Sequence, residues 1–159
     1  MNRLRRTSTA TLRSVTGTAL VTLVLLSGCV AQEEVDEIPQ IVIGGLDYTF
    51  DVPDPIPSGL VELVFQNRGQ VRHEVILQEL VPGTTLTQLV EAGPSPQARA
   101  ATVRRGGGIL VAEPGEESWS RLLVELTPGG TYGLICNFRD SPDALPHIAL
   151  GMVRTFQAE

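Results

Sequence analysis

The chain of 159 residues has no lysine, two histidines and two cysteines. All of its basic residues are arginine, which reads as composition bias, not mechanism. With two histidines, no centre that needs three or more imidazoles can be built from this chain. The Gly-x-Ser-x-Gly elbow that presents a hydrolase nucleophile is missing. So is any apolar run of the roughly 20 residues that a membrane-spanning helix requires. The longest apolar stretch, Val15 to Leu26, is about a dozen residues and belongs to the N-terminus.

That N-terminus reads as a targeting segment. Arg3, Arg5, Arg6 and Arg13 form a basic start without acidic residues, and the apolar stretch ends at Leu26-Ser27-Gly28-Cys29. Small residues before the cysteine suit a peptidase that needs a narrow extended backbone at the scissile bond. Leu-Ser-Gly-Cys resembles the lipobox of bacterial lipoproteins. The resemblance implies removal of residues 1–28 and a diacylglyceride thioether on Cys29, so the domain is expected outside the cytoplasm, held to a membrane by its lipid. Arg5-Arg6 lacks the hydrophobic residues expected just after a twin-arginine export pair.

Four of the twelve arginines precede Cys29, so the mature chain has eight basic side chains against 18 acidic ones, a formal net charge of −10. That balance argues against a nucleic-acid partner, which needs basic patches. It argues equally against electrostatic adhesion to anionic lipid, so attachment falls to the acyl chains. Residues 29–38, with Glu33, Glu34, Asp36 and Glu37, read as an acidic tether. Residues 39–159 suffice for one domain.

From Ile38 onward the apolar residues come in short runs divided by Gly, Pro and Asp. Strands are expected at 40–43, 48–52, 60–66, 74–80, 109–112, 118–126, 131–137 and 152–158. Several alternate with period two: Val61, Leu63 and Phe65 share a face, as do Leu122, Val124 and Leu126, and Tyr132, Leu134 and Cys136. Many short strands with Pro/Gly turns argue for an all-β sandwich or small barrel. One short helix is expected, capped by Thr84 or Thr85, striped by Leu86, Leu89 and Val90, and stopped at Gly93-Pro94. Residues 93–108 read as an irregular loop.

Cys136 ends an apolar strand, His147 follows after ten intervening residues and Met152 after four more; His73 lies far upstream behind the turn Asn67-Arg68-Gly69. Taken singly, a buried cysteine or methionine is usually core and a histidine near a turn is usually surface. Together they resemble the cupredoxins, the blue-copper family. Three stretches carry the resemblance: Asn67-x-Gly69-x-x-x-His73, Thr127-Pro128-Gly129-Gly130-Thr131-Tyr132-x-x-x-Cys136, and Pro146-His147-x-x-x-Gly151-Met152. The resemblance implies a Greek-key β-sandwich holding one type 1 copper. Cys136 would be the thiolate ligand, His73 and His147 the equatorial imidazoles, and Met152 the weak axial thioether, a set that suits both Cu(I) and Cu(II). It also implies backbone hydrogen bonds near Asn67 and a His147 ring edge emerging through Leu145, Pro146 and Ile148 as an electron port.

Two departures from the family pattern stand out. The loop from Cys136 to His147 is longer than in plastocyanin- or azurin-like members, and its Arg139, Asp140 and Asp143 read as a polar partner surface. Glu74 follows His73 where asparagine is common, which bears on the hydrogen bonding around the site. An unpaired thiol outside the cytoplasm is an oxidation liability, and a lipidated Cys29 cannot pair with it. The expected function is a monomeric, lipid-anchored electron carrier meeting a redox partner protein, and not an enzyme. Copper storage or delivery, and a copper-free recognition domain, are the alternatives. Binuclear copper needs two cysteines in the loop, and structural zinc does not usually take methionine.

Overall fold

The computed structural model describes residues 37–93 and 95–159. The targeting segment, Cys29 and the tether up to Asp36 lie outside the described residues. No helix among the described residues is long and apolar enough to cross a membrane.

Among the described residues, eight strands form two four-stranded sheets. The first has the order β2 (Thr49–Asp51), β1 (Gln40–Leu46), β3 (Gly59–Asn67), β6 (Leu122–Leu126). The second has the order β5 (Val103–Ala112), β4 (His73–Leu80), β7 (Thr131–Ile135), β8 (Val153–Gln157). β1 runs parallel to β3, and all other pairings are antiparallel. Each of the eight expected strands is present, though β5 begins six residues earlier than expected and β6 four residues later.

Alternation explains why the sheets face each other. Val61, Leu63 and Phe65 on β3 and Tyr132, Leu134 and Cys136 on and beyond β7 are buried in one core with Ile41, Ile43, Val75, Leu77 and Leu110. Leu126 joins that core, while Leu122 and Val124 pack on its margin. The outer face of the second sheet has a smaller cluster, where Leu80, Ile135 and Ile148 meet Leu89.

Leu89 comes from α1 (Leu86–Ala92), where Thr85 and Gln88 make a reciprocal capping box. Residues 93–108, expected as an irregular loop, instead contain a second helix and the start of β5. α2 (Pro96–Thr102) is capped by Ser95 and has proline in its first turn, where the missing N–H costs nothing. The glycines of β5 permit close sheet packing: a Cβ on Gly107 would sit 2.7 Å from Leu77 Cγ. Arg104 and Arg105 flank this run and pair with Glu79 at 3.1 and 2.9 Å.

Candidate metal centre

Strand register gathers the site at one end of the sandwich. Ile76 on β4 lies opposite Ile135 on β7, which lies opposite Val153 on β8. His73 at the start of β4, Cys136 just past β7 and Met152 just before β8 therefore share one edge. The loop after Cys136 returns His147 to the same place. His147 N donates to Phe138 O at 2.8 Å and Ile148 N to Cys136 O at 2.7 Å, leading into a short 3-10 turn, His147–Leu150. Met152 N donates to His147 O at 2.9 Å, and Cys136 N to Met152 O at 3.2 Å, so three of the four expected ligands are stitched by their backbones. Arg72 lies over the Phe138 ring, 5.0 Å from its centroid, and holds the base of the loop.

The side chains of His73, Cys136 and His147 converge. The two histidine Nδ1 atoms are 3.1 Å apart, and Cys136 Sγ lies 3.4 Å from that of His147 and 4.0 Å from that of His73. All three residues are buried. A triangle of those sides has a point about 2 Å from each donor, the length of a metal–imidazole bond. Two imidazoles and a thiol at that spacing fit a soft or borderline ion. Met152 is wholly buried, with its methyl 3.6 Å from where a Cβ on Gly45 would stand.

Burial pushes the Cys136 thiol up to about 11, against the opposing pull of the Glu74 amide. The Glu74 N–H points at Sγ, 3.4 Å away. Burial likewise lowers the pKa of His73, with Asp47 working the other way.

The surrounding hydrogen bonds differ from expectation in source more than in effect. The turn before His73 is held by the Asn67 side chain: Nδ2 donates to Val71 O at 2.8 Å and Ala112 O at 3.1 Å, while Oδ1 accepts from Gly69 N at 2.9 Å. Glu74, which follows His73, is buried and accepts the Asn137 N–H at 3.0 Å. Its pKa is raised, chiefly by burial.

The His147 edge does not emerge through an apolar patch. His147 is 1% exposed, Ile148 is buried, and Nε2 lies 3.0 Å from Asp140 Oδ1. Asp140 therefore turns inward from the loop, while its neighbour Arg139 bonds Ala144 O. On the other imidazole, His73 Nε2 lies 3.1 Å from Asp47 Oδ1. Tyr48 donates to Asp140 Oδ2 at 2.6 Å. That donated bond is the main cause of a lowered Asp140 pKa and a raised Tyr48 pKa. Burial works against the Asp47 carboxylate, but the Gln70 amide and His73 outweigh it and hold its pKa below the ordinary value.

The sequence pattern marks neither Asp47 nor Tyr48 as part of the site; Tyr48 is expected only as the start of a strand. The available signal was an acidic residue in the short link between two strand patterns.

No family model matches the chain, and no curated protein does. Solved structures do. Auracyanin B aligns at a TM-score of 0.50 and 18% identity over 79% of this chain and 93% of its own. An auracyanin from Roseiflexus castenholzii aligns at 0.48 and 17%, over 76% and 96%. Auracyanin A of Chloroflexus aurantiacus, described as a "blue" copper protein, aligns at 0.48 and 21%, over 76% and 98%. The architecture is the cupredoxin β-sandwich.

Proposed function

We propose that this chain is a mononuclear type 1 copper protein that carries single electrons. The observation behind the reading is the buried Nδ1, Nδ1, Sγ triangle, since a fold alone does not specify chemistry. His73, Cys136 and His147 would hold the metal, with Met152 as the weak fourth donor. A copper ion bound there would supply one-electron chemistry between Cu(I) and Cu(II).

The chain's own part is to keep its donors still. His73 and Cys136 sit at the ends of paired strands, and backbone bonds tie Cys136, His147 and Met152 together. A donor set that cannot relax towards either ion's preferred geometry keeps rearrangement small when an electron moves. Burial excludes water from the ligand atoms. Both histidines of the chain belong to this cluster, which leaves no imidazole for a second, catalytic copper. Storage or delivery has less support, because the mature chain's single methionine is Met152.

On the same reading, the diacylglyceride on Cys29 anchors the domain outside the cytoplasm, and a redox protein is the partner. Voltammetry of the copper-loaded protein tests the function. A reversible one-electron wave accounting for one copper per chain is expected. Tightly held Cu(I) that no potential oxidises reversibly would indicate storage instead.

A further inference from the structure

Both outer imidazole nitrogens end on carboxylates, one from each side of the site. Asp47 comes from the link between β1 and β2, and Asp140 from the loop between Cys136 and His147. Each histidine carries Nδ1 inward and Nε2 outward, at 3.1 Å from Asp47 and 3.0 Å from Asp140. A neutral imidazole has one N–H. Donating it from Nε2 to a carboxylate leaves the Nδ1 lone pair facing the cluster, the tautomer that a metal ligand needs.

Tyr48 joins the two halves. Its hydroxyl takes the Asp140 oxygen that His147 does not use. Its ring meets both histidines edge-on, with centroids 5.0 Å from His147 and 6.2 Å from His73. Tyr48 has φ of 62°, the sole non-glycine with positive φ among the described residues. A side chain in that left-handed region is strained, and such strain clusters at functional sites.

Asp47 is fixed in turn. Its carboxylate accepts the Gln70 N–H at 2.9 and 3.1 Å. Gly69 leaves the room: a Cβ there would collide with Asp47 Oδ1 and stand 3.0 Å from His73 Nε2. The outcome is two histidines at 0% and 1% exposure, beneath carboxylates that are 33% and 35% exposed.

We propose that Asp47, Tyr48 and Asp140 form a cap of positioning residues that fixes the tautomer and orientation of both imidazoles and closes the site to solvent. The proposal rests on the reading of His73, Cys136 and His147 as metal ligands. The cap slows loss of the metal and denies chelators and small anions a bare imidazole edge.

Two measurements on the full chain test it. The first is transfer of Cu(II) from the loaded protein to EDTA. Asp47→Ala and Asp140→Ala should each speed release about 10–100-fold, the usual cost of removing a ligand's hydrogen-bond partner. Tyr48→Phe should speed it several-fold, Asp140→Asn, which keeps an acceptor, should recover part of the loss, and Asp143→Ala should change nothing. The second is the nitrogen-15 NMR tautomer of both histidines without metal, expected as Nε2–H in the wild type and mixed at His73 in Asp47→Ala and at His147 in Asp140→Ala. Far-UV circular dichroism identifies any variant that fails to fold, and Asp140→Asn then carries the comparison. Copper retained by the wild type with release and tautomers unmoved in the variants overturns the cap. A wild type that takes no copper but shows the Nε2–H tautomer, lost in the alanine variants, supports the cap and removes the metal reading. No copper together with mixed tautomers removes both.

Discussion

Glu74 and Asn137, the residues that follow His73 and Cys136, are bonded to each other: Glu74 Oε1 accepts the Asn137 N–H at 3.0 Å. The strap holds the first residue of the long loop against β4. Glu74→Ala leaves the half-buried Asn137 amide without its acceptor, a loss of about 1 kcal/mol. Glu74→Gln keeps an acceptor oxygen and should recover most of it. Urea unfolding of the three proteins checks the order: wild type, then Gln, then Ala.

Gly69→Ala should damage the site more than the fold. The added methyl group stands against Asp47 and the outer nitrogen of His73. Overpacking of this kind costs about 1–3 kcal/mol of stability. Far-UV circular dichroism should remain that of the wild type. Copper affinity, measured by competition with a chelator, should fall about tenfold or more as His73 is displaced.

The metal-free protein should weaken in alkali for a reason that maps to one atom. Burial raises the Cys136 thiol from 9.0 to about 11. The folded state therefore keeps its proton to higher pH than the unfolded state does. The associated stability is fully present below pH 9 and is lost as pH climbs towards 11. Thermal melts of the metal-free protein across that window should show the decline. In Cys136→Ser the same window should be flatter, with any remaining slope due to other groups such as Tyr48, whose pKa is also raised.

What local pattern can express was legible in the sequence. Alternation at Val61, Leu63 and Phe65 or at Tyr132, Leu134 and Cys136 places a face without reference to the rest of the chain, and both stripes are buried. The spacing of Cys136, His147 and Met152 is local too. Contacts that depend on distant segments were not legible. Tyr48 reaches Asp140 across 92 positions, and Asp47 reaches His73 across 26. No periodicity marks a tyrosine that takes a left-handed backbone conformation to serve such a contact. α2 was hidden for a different reason: its Pro96 and Ser95 are loop residues in most settings and become a helix start only when the following residues turn.

On the proposed function, His73, Cys136 and His147 hold one copper through a thiolate. Its most direct test is the visible absorption spectrum of the purified protein titrated with Cu(II), beside Cys136→Ser. An intense blue or green band is expected that saturates at one copper per chain and is abolished in Cys136→Ser, whose circular dichroism remains that of a β-sandwich. A protein that binds no copper, or a band that survives the loss of Cys136, would contradict it.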